Sequence, residues 1–227
     1  MHVKVHFFSL TVLSVFLASL VPAPAIGQVH TSHDGVVRVE TDSGSGTGFV
    51  VASENGSIET WTNGHVTRGV GSTVRLRFGT GTANESVTEG IVADRRFSGG
   101  YDWSKIVARK TYTGHVFSPN DSGGDGKALV TGGYPNGDRF YSLVLDREQS
   151  HGFNSVKAYS PPSIPGQSGS PVVDSSGKVV GVVTMYFRSG RKKYGGFLPI
   201  SDWTGSSRVS TRNVGDCKTL DNAPCVK

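Results

Sequence analysis

The sequence predicts an all-β protein of two packed antiparallel β-barrels, and three observations carry that prediction. Glycine occurs 31 times and methionine only 2 times in 227 residues. Short valine-rich runs are separated by Gly, Ser, Asn and Asp, the residues that make turns. No long window places its apolar residues at helical spacing. Once a leader is set aside, about 200 residues remain, enough for one large β domain or two small barrels sharing an interface.

The elements follow in chain order. Met1 to Gly27 begins with Lys4 among two histidines, runs apolar from Val5 to Val21 and ends in Pro22-Ala23-Pro24-Ala25-Ile26-Gly27. This reads as a secretory signal peptide cleaved after Ala25 or Gly27, which places the mature protein in the periplasm or outside the cell with no stable membrane insertion. Gly35–Glu40 and Gly44–Val51 supply the first strands. The glycines of Gly44-Ser45-Gly46-Thr47-Gly48 lead into a strand rather than a helix, which argues against a dinucleotide loop. Thr73–Phe78 alternates polar and apolar residues, and Ser86–Ala93 is a further strand.

From Thr113 to Gly126 the composition turns to Gly, Ser, Asn, Asp and Pro, which marks the link between a first barrel at about 35–112 and a second at about 127–203. The second half offers strands at Ala128–Pro135, Tyr141–Leu145 and Lys178–Thr184. A last hairpin joins Met185–Arg188 to Tyr194–Ile200 through Ser189-Gly190-Arg191-Lys192-Lys193, a turn with a basic tip.

The formal charge is +5, one unit of which is Lys4 in the leader. The cations are scattered rather than striped with aromatics, so the pattern does not favour nucleic acid. Cys217 and Cys225 both follow the barrels, in a tail at 204–227, and in an exported chain they are expected to pair. So short a closed loop contributes on the order of 2–3 kcal/mol to local order. Two thiols without a nearby histidine do not suggest a metal site. Sequons stand at Asn55, Asn84 and Asn120.

Three stretches carry chemistry. Pro165-Gly166-Gln167-Ser168-Gly169-Ser170-Pro171 sets a hydroxyl between glycines ahead of the apolar Val172-Val173. Gly166 can take backbone angles forbidden to other residues, which lets its N–H and that of Ser168 converge on a developing oxyanion. By itself the stretch is equally readable as an ordinary turn. Trp61-Thr62-Asn63-Gly64-His65-Val66 supplies a histidine, which alone would more often be structural. Tyr101-Asp102-Trp103-Ser104-Lys105-Ile106-Val107 sets a carboxylate at the head of an alternating strand. His65, Asp102 and Ser168 therefore occur in that order, with room for strands between them.

In that order the three stretches resemble the chymotrypsin/trypsin-like serine peptidases, in the bacterial trypsin-like and Deg-type branch, without a PDZ domain. TNGHV looks like TAAHC, DWSKIV like D-I-A-L-L and GQSGSP like GDSGGP, and the resemblance runs from about Gly35 to Trp203. It implies a serine-type endopeptidase with its active site between the barrels, acting on peptides or proteins through an acyl-enzyme and without a cofactor, as a monomer. It implies Ser168 as nucleophile, His65 as general base and Asp102 as the group that orients the imidazole, with the N–H groups of Gly166 and Ser168 as the oxyanion hole. Asp94 is the rival carboxylate, but Arg95 and Arg96 after it suggest a solvated turn. His30, His33, His115 and His151 sit in polar or glycine-rich surroundings and read as surface residues.

The chain also departs from the family. Gln167 stands where a trypsin-like aspartate pairs with a released N-terminus, and Ser170 stands where glycine is usual. Pro162 occupies the place of the trypsin pocket aspartate. Thr184, Met185 and Tyr186 match the strand that pairs with substrate backbone, and the bulk at Tyr186 suggests a shallow apolar pocket. The alternative is a catalytically silent relative that binds peptides or a partner protein in the same groove.

Overall fold

Adjacent valines such as Val36-Val37, Val172-Val173, Val179-Val180 and Val182-Val183 are all buried. Successive strand residues point to opposite faces, so each doublet needs apolar surroundings on both sides of its sheet. The computed structural model describes residues 34–98, 101–122, 128–137, 139–153, 156–204 and 218–219, and it meets that requirement with two barrels packed against each other.

The first barrel is closed by six antiparallel strands, β1 (Val36–Thr41), β2 (Gly44–Glu54), β3 (Ser57–Thr62), β4 (Thr73–Phe78), β5 (Ser86–Ser98) and β6 (Tyr101–Arg109), in the order β1-β2-β3-β6-β5-β4. The second contains β7 (Leu129–Gly133), β8 (Tyr141–Phe153), β9 (Val156–Ser160), β10 (Pro171–Val173), β11 (Val179–Ser189) and β12 (Lys192–Pro199), in the order β10-β7-β8-β9-β12-β11, closed by pairing of β10 with β11. A short helix, α1 (Ser201–Thr204), follows, and a two-residue strand, β13 (Lys218–Thr219), lies on β11.

The doublets divide between three cores. Val37, Val39 and Val50 fill the first barrel, while Leu129, Val172, Val180 and Val183 fill the second. Their neighbours Val36, Phe49, Val130, Val173, Val179 and Val182 face the other way, into a third cluster between the barrels that includes Trp61, Tyr134 and Trp203. Trp61 and Trp203 stack there at 5.7 Å between ring centroids. Such a pair adds about 0.5–1.5 kcal/mol beyond its burial.

Several local expectations are corrected. The Asp94–Arg96 segment is strand, not turn: Arg95 and Arg96 pair with Ser104 and Trp103 across β5 and β6, although Asp94 and Arg96 are exposed. The basic hairpin is tighter than the composition suggests, since Ser189 pairs directly with Lys192 and leaves only Gly190 and Arg191 in the turn. The connection after β6 buries more than its polar composition implies. Phe117 is 1 % exposed, and its N–H donates to the Val50 carbonyl at 2.8 Å. The hairpin between β2 and β3 turns on Asn55 and Gly56, both at positive φ (52° and 70°), the requirement that Asn-Gly satisfies most readily. The leader Met1–Gly27, His30, His33 and the cysteines Cys217 and Cys225 lie outside the described residues, as does the side chain of His151.

Candidate active site

His65 sits in the turn that leaves β3. That turn is pinned to the head of β6 by Asn63, whose Nδ2 donates to the Asp102 carbonyl at 3.0 Å. Asp102, the second residue of β6, then bonds back twice. Its Oδ1 accepts the His65 backbone N–H at 2.9 Å, and its Oδ2 lies 2.7 Å from His65 Nδ1. A third bond crosses from the other barrel, where Thr184 Oγ1 on β11 donates to Asp102 Oδ2 at 2.6 Å.

Asp102 as a residue is 8 % exposed. Burial alone would raise its pKa, but the His65 charge together with the hydrogen bonds from His65 and Thr184 outweighs burial and holds it below the ordinary carboxylate value. An ionised acceptor keeps a proton on Nδ1, so that any proton His65 gains or gives up is carried at Nε2, the arrangement a general base needs. Asp94 lies away from this chain of bonds, with its carboxylate accepting the N–H of the next residue at 2.8 Å.

Ser168 belongs to the loop between β9 and β10, and its position is set by Thr47 of the first barrel. The Thr47 N–H donates to the Ser168 carbonyl and Thr47 Oγ1 to the Gly166 carbonyl, both at 2.7 Å. Thr62 Oγ1 in turn donates to the Thr47 carbonyl at 2.6 Å. On the other side, Gly169 N–H donates to the Val183 carbonyl at 2.8 Å, one residue before Thr184. Gly166 (φ 90°) and Gly169 (φ 86°) both need glycine's freedom; a Cβ on Gly169 would stand 1.9 Å from the Thr47 oxygen.

The Pro165 carbonyl accepts the Asn136 N–H at 2.8 Å. Because the two ends of a trans peptide point in opposite directions, this turns the Gly166 N–H away from Asn136. Gln167 is 1 % exposed and closes the loop from inside, its Oε1 accepting the Ile164 N–H at 2.9 Å. Ser170 is buried against Gly133, where any Cβ would collide with its Oγ. A small residue opposite thus makes room for the unusual serine.

The structure brings His65, Asp102 and Thr184 into one bonded chain and sets the Ser168 loop beside it at the barrel junction. Ser168 Oγ itself is buried and makes no hydrogen bond, so its contact with His65 is not formed here. The segment after Pro162 lies against β11, with Ser163 Oγ donating to the Met185 carbonyl at 3.1 Å. Thr184, expected on the strand that pairs with substrate backbone, gives its side-chain hydroxyl to Asp102. Thr47, Asn63 and Asn136 escaped the sequence reading because each works through a backbone bond to a residue far along the chain, and no local pattern signals that.

Two barrels with these side chains at their junction have the fold of the trypsin-like serine proteases. No family model matches the sequence, and no curated protein does so either. Solved structures do match. The active form of the Rv3671c protease from M. tuberculosis is similar over 94 % of this chain and 97 % of that one, at 22 % identity and a TM-score of 0.62. The serine endoprotease of Yersinia pestis is similar over 76 % of this chain and 61 % of its own, at 16 % identity and TM-score 0.59. The serine protease of a human pathogenic astrovirus is similar over 75 % of this chain and 92 % of its own, at 19 % identity and TM-score 0.55.

Proposed function

We propose that the chain is an exported serine endopeptidase. The observation that carries this reading is the bonded chain Thr184–Asp102–His65, which crosses from one barrel to the other and holds the imidazole through Nδ1 near the loop of Ser168. In this reading His65 takes the Ser168 proton as Oγ attacks a peptide carbonyl, and the resulting oxyanion is held by the N–H groups of Gly166 and Ser168. His65 then returns the proton to the leaving amine. Water, activated by the same imidazole, releases the acyl group from Ser168.

The similar folds of three proteases support the substrate class, peptides and proteins. The leader-like Met1–Gly27 supports export, and export in turn favours a Cys217–Cys225 disulfide in the tail. Pro162, Met185 and Tyr186 remain our assignment for the wall that meets the substrate side chain.

The test is a fluorophosphonate probe followed by peptide mass mapping, with a peptide substrate assayed in parallel. The modified residue should be Ser168. Ser168→Ala should remain folded and lose both labelling and peptide hydrolysis by several orders of magnitude. Hydrolysis retained in purified Ser168→Ala would overturn the assignment. Absence of labelling in every form, including the opened variant described below, would favour the peptide-binding alternative.

A further inference from the structure

The edges of β11 are taken up in an unusual sequence. On one side it pairs with β12 along its length. On the other it pairs with β10 only as far as Val182, after which Val183 bonds Gly169 and Ser170 of the nucleophile loop. Beyond that point, among the described residues, no barrel strand takes the second edge. It is taken instead by β13, from near the C-terminus, which pairs antiparallel with Met185 opposite Thr219 and Tyr186 opposite Lys218.

The direction of this strand matters. Moving from Lys218 to Thr219 follows β11 backward from Tyr186 to Met185, toward Thr184 and so toward the bond to Asp102. A strand advances about 3.3 Å per residue, so the ladder on Tyr186 and Met185 points along β11 toward the loop that holds Ser168. A second, independent observation concerns access. A nucleophile that must meet a substrate carbonyl needs an open face, yet Ser168 has 0 % exposure and the His65 side chain also has 0 %.

Resting on the reading of the site as a peptidase, we propose that the C-terminal segment around Lys218–Thr219 is an internal peptide ligand. It docks by strand addition on the edge of β11 and keeps the site closed to other peptides. The main-chain ladder supplies the hold, so the docking surface is an edge that would accept an extended peptide of either origin. The protein then exists in closed and open forms, and a substrate must displace its own tail. Apparent affinity is the intrinsic affinity multiplied by the fraction of chains that are open.

Proline lacks the N–H a ladder needs, so a full-length Lys218→Pro/Thr219→Pro protein removes the docking without altering the barrels. Hydrogen exchange over Met185–Tyr186 should become at least tenfold faster in this variant than in the parent, and the same should hold in a Ser168→Ala background. Fluorophosphonate labelling of Ser168 should rise at least tenfold. A synthetic peptide spanning residues 215–222, with Cys217→Ser, should slow labelling of the variant again when added in trans. Equal exchange in parent and variant would overturn the docking, and faster exchange with unchanged labelling of a reactive serine would overturn the closure. Faster exchange with no labelling in either protein would leave the docking standing and sink the peptidase reading instead. Unfolding temperatures of the two proteins should agree, and a large drop in the variant would show that the segment is a structural strand, contrary to the proposal.

Discussion

Thr184→Val isolates the bond that ties the barrels together at the site. Valine keeps the shape of threonine and removes only the hydroxyl, which donates to Asp102 Oδ2 at 2.6 Å in a buried setting. A hydrogen bond to a charged group contributes about 1.5–3 kcal/mol, and its loss leaves a buried acceptor short of one partner. Taking about 2 kcal/mol, and about 2–4 °C per kcal/mol for a chain of this size, the unfolding temperature at pH 7 should fall by about 4–8 °C. Thr184→Ser, which keeps the hydroxyl, should fall by less.

The pH dependence of the effect has a definite sign. Asp102 has a folded-state pKa below its ordinary 3.8, so its contribution is present in full above pH 3.8 and is lost as the pH falls further through the depressed value. Thr184→Val raises that value, so the gap between parent and variant should be widest above pH 4 and should close in more acidic solution. Urea midpoints at pH 7, 4 and 2.5 measure it. A Thr184→Val protein as stable as the parent at pH 7, or a gap that does not change down to pH 2.5, would refute the reasoning.

Other outcomes follow from single contacts. Gly169→Ala combines φ of 86° with a Cβ only 1.9 Å from the Thr47 carbonyl oxygen and should cost about 3 kcal/mol or more, whereas Gly177→Ala, at φ 77° in open space, should cost about 1 kcal/mol, as thermal unfolding would record. Glu40 is 8 % exposed and is shared by Arg38, Arg75 and Arg77 at 3.1–3.6 Å, shorter for the bidentate Arg77 than for Arg75. Glu40→Gln should lower stability in urea by about 1–2 kcal/mol, discounted for partial exposure of the arginines, and the deficit should shrink in high salt.

The architecture was legible because its physics is local. Valine doublets, alternating runs such as Thr73–Phe78 and the Asn55-Gly56 turn each announce a strand or hairpin within a few residues, and the three motif stretches stand in chain order. The errors arose where tertiary pairing overrode local composition. Asp94-Arg95-Arg96 is polar enough for a turn, yet β6 supplies partners that keep it extended. Phe117 lies in a polar connection, yet the gap between two barrels accepts its ring, which meets Phe49 at 5.8 Å. The segments at β9 and β13 were not anticipated, since five residues and two residues carry too little periodicity to stand out. The pairing of Asp102 with Thr184 could not be read at all, because the two are separated by most of a barrel and joined only by the fold.

That separation bears on how the site works. His65 and Asp102 hang on the first barrel, while the Ser168 loop and Thr184 belong to the second, so the relation between hydroxyl and imidazole is set by how the barrels meet. Thr47 stands at that meeting point. Its N–H and hydroxyl hold the carbonyls of Ser168 and Gly166, its Oγ1 accepts the Tyr134 N–H at 3.0 Å, and its own carbonyl accepts from Thr62. Tyr134 adds a further tie, its hydroxyl donating to the Val36 carbonyl at 3.1 Å. A displacement of about 1 Å between reacting groups can cost about a hundredfold in rate. The large apolar cluster of Phe49, Trp61, Phe117, Tyr134 and Trp203 therefore does more than stabilise the fold. Close-packed interiors deform little, so this cluster fixes the distance across which a proton would have to move, and the valine doublets that build it are as much a part of the site as the side chains that would carry the reaction.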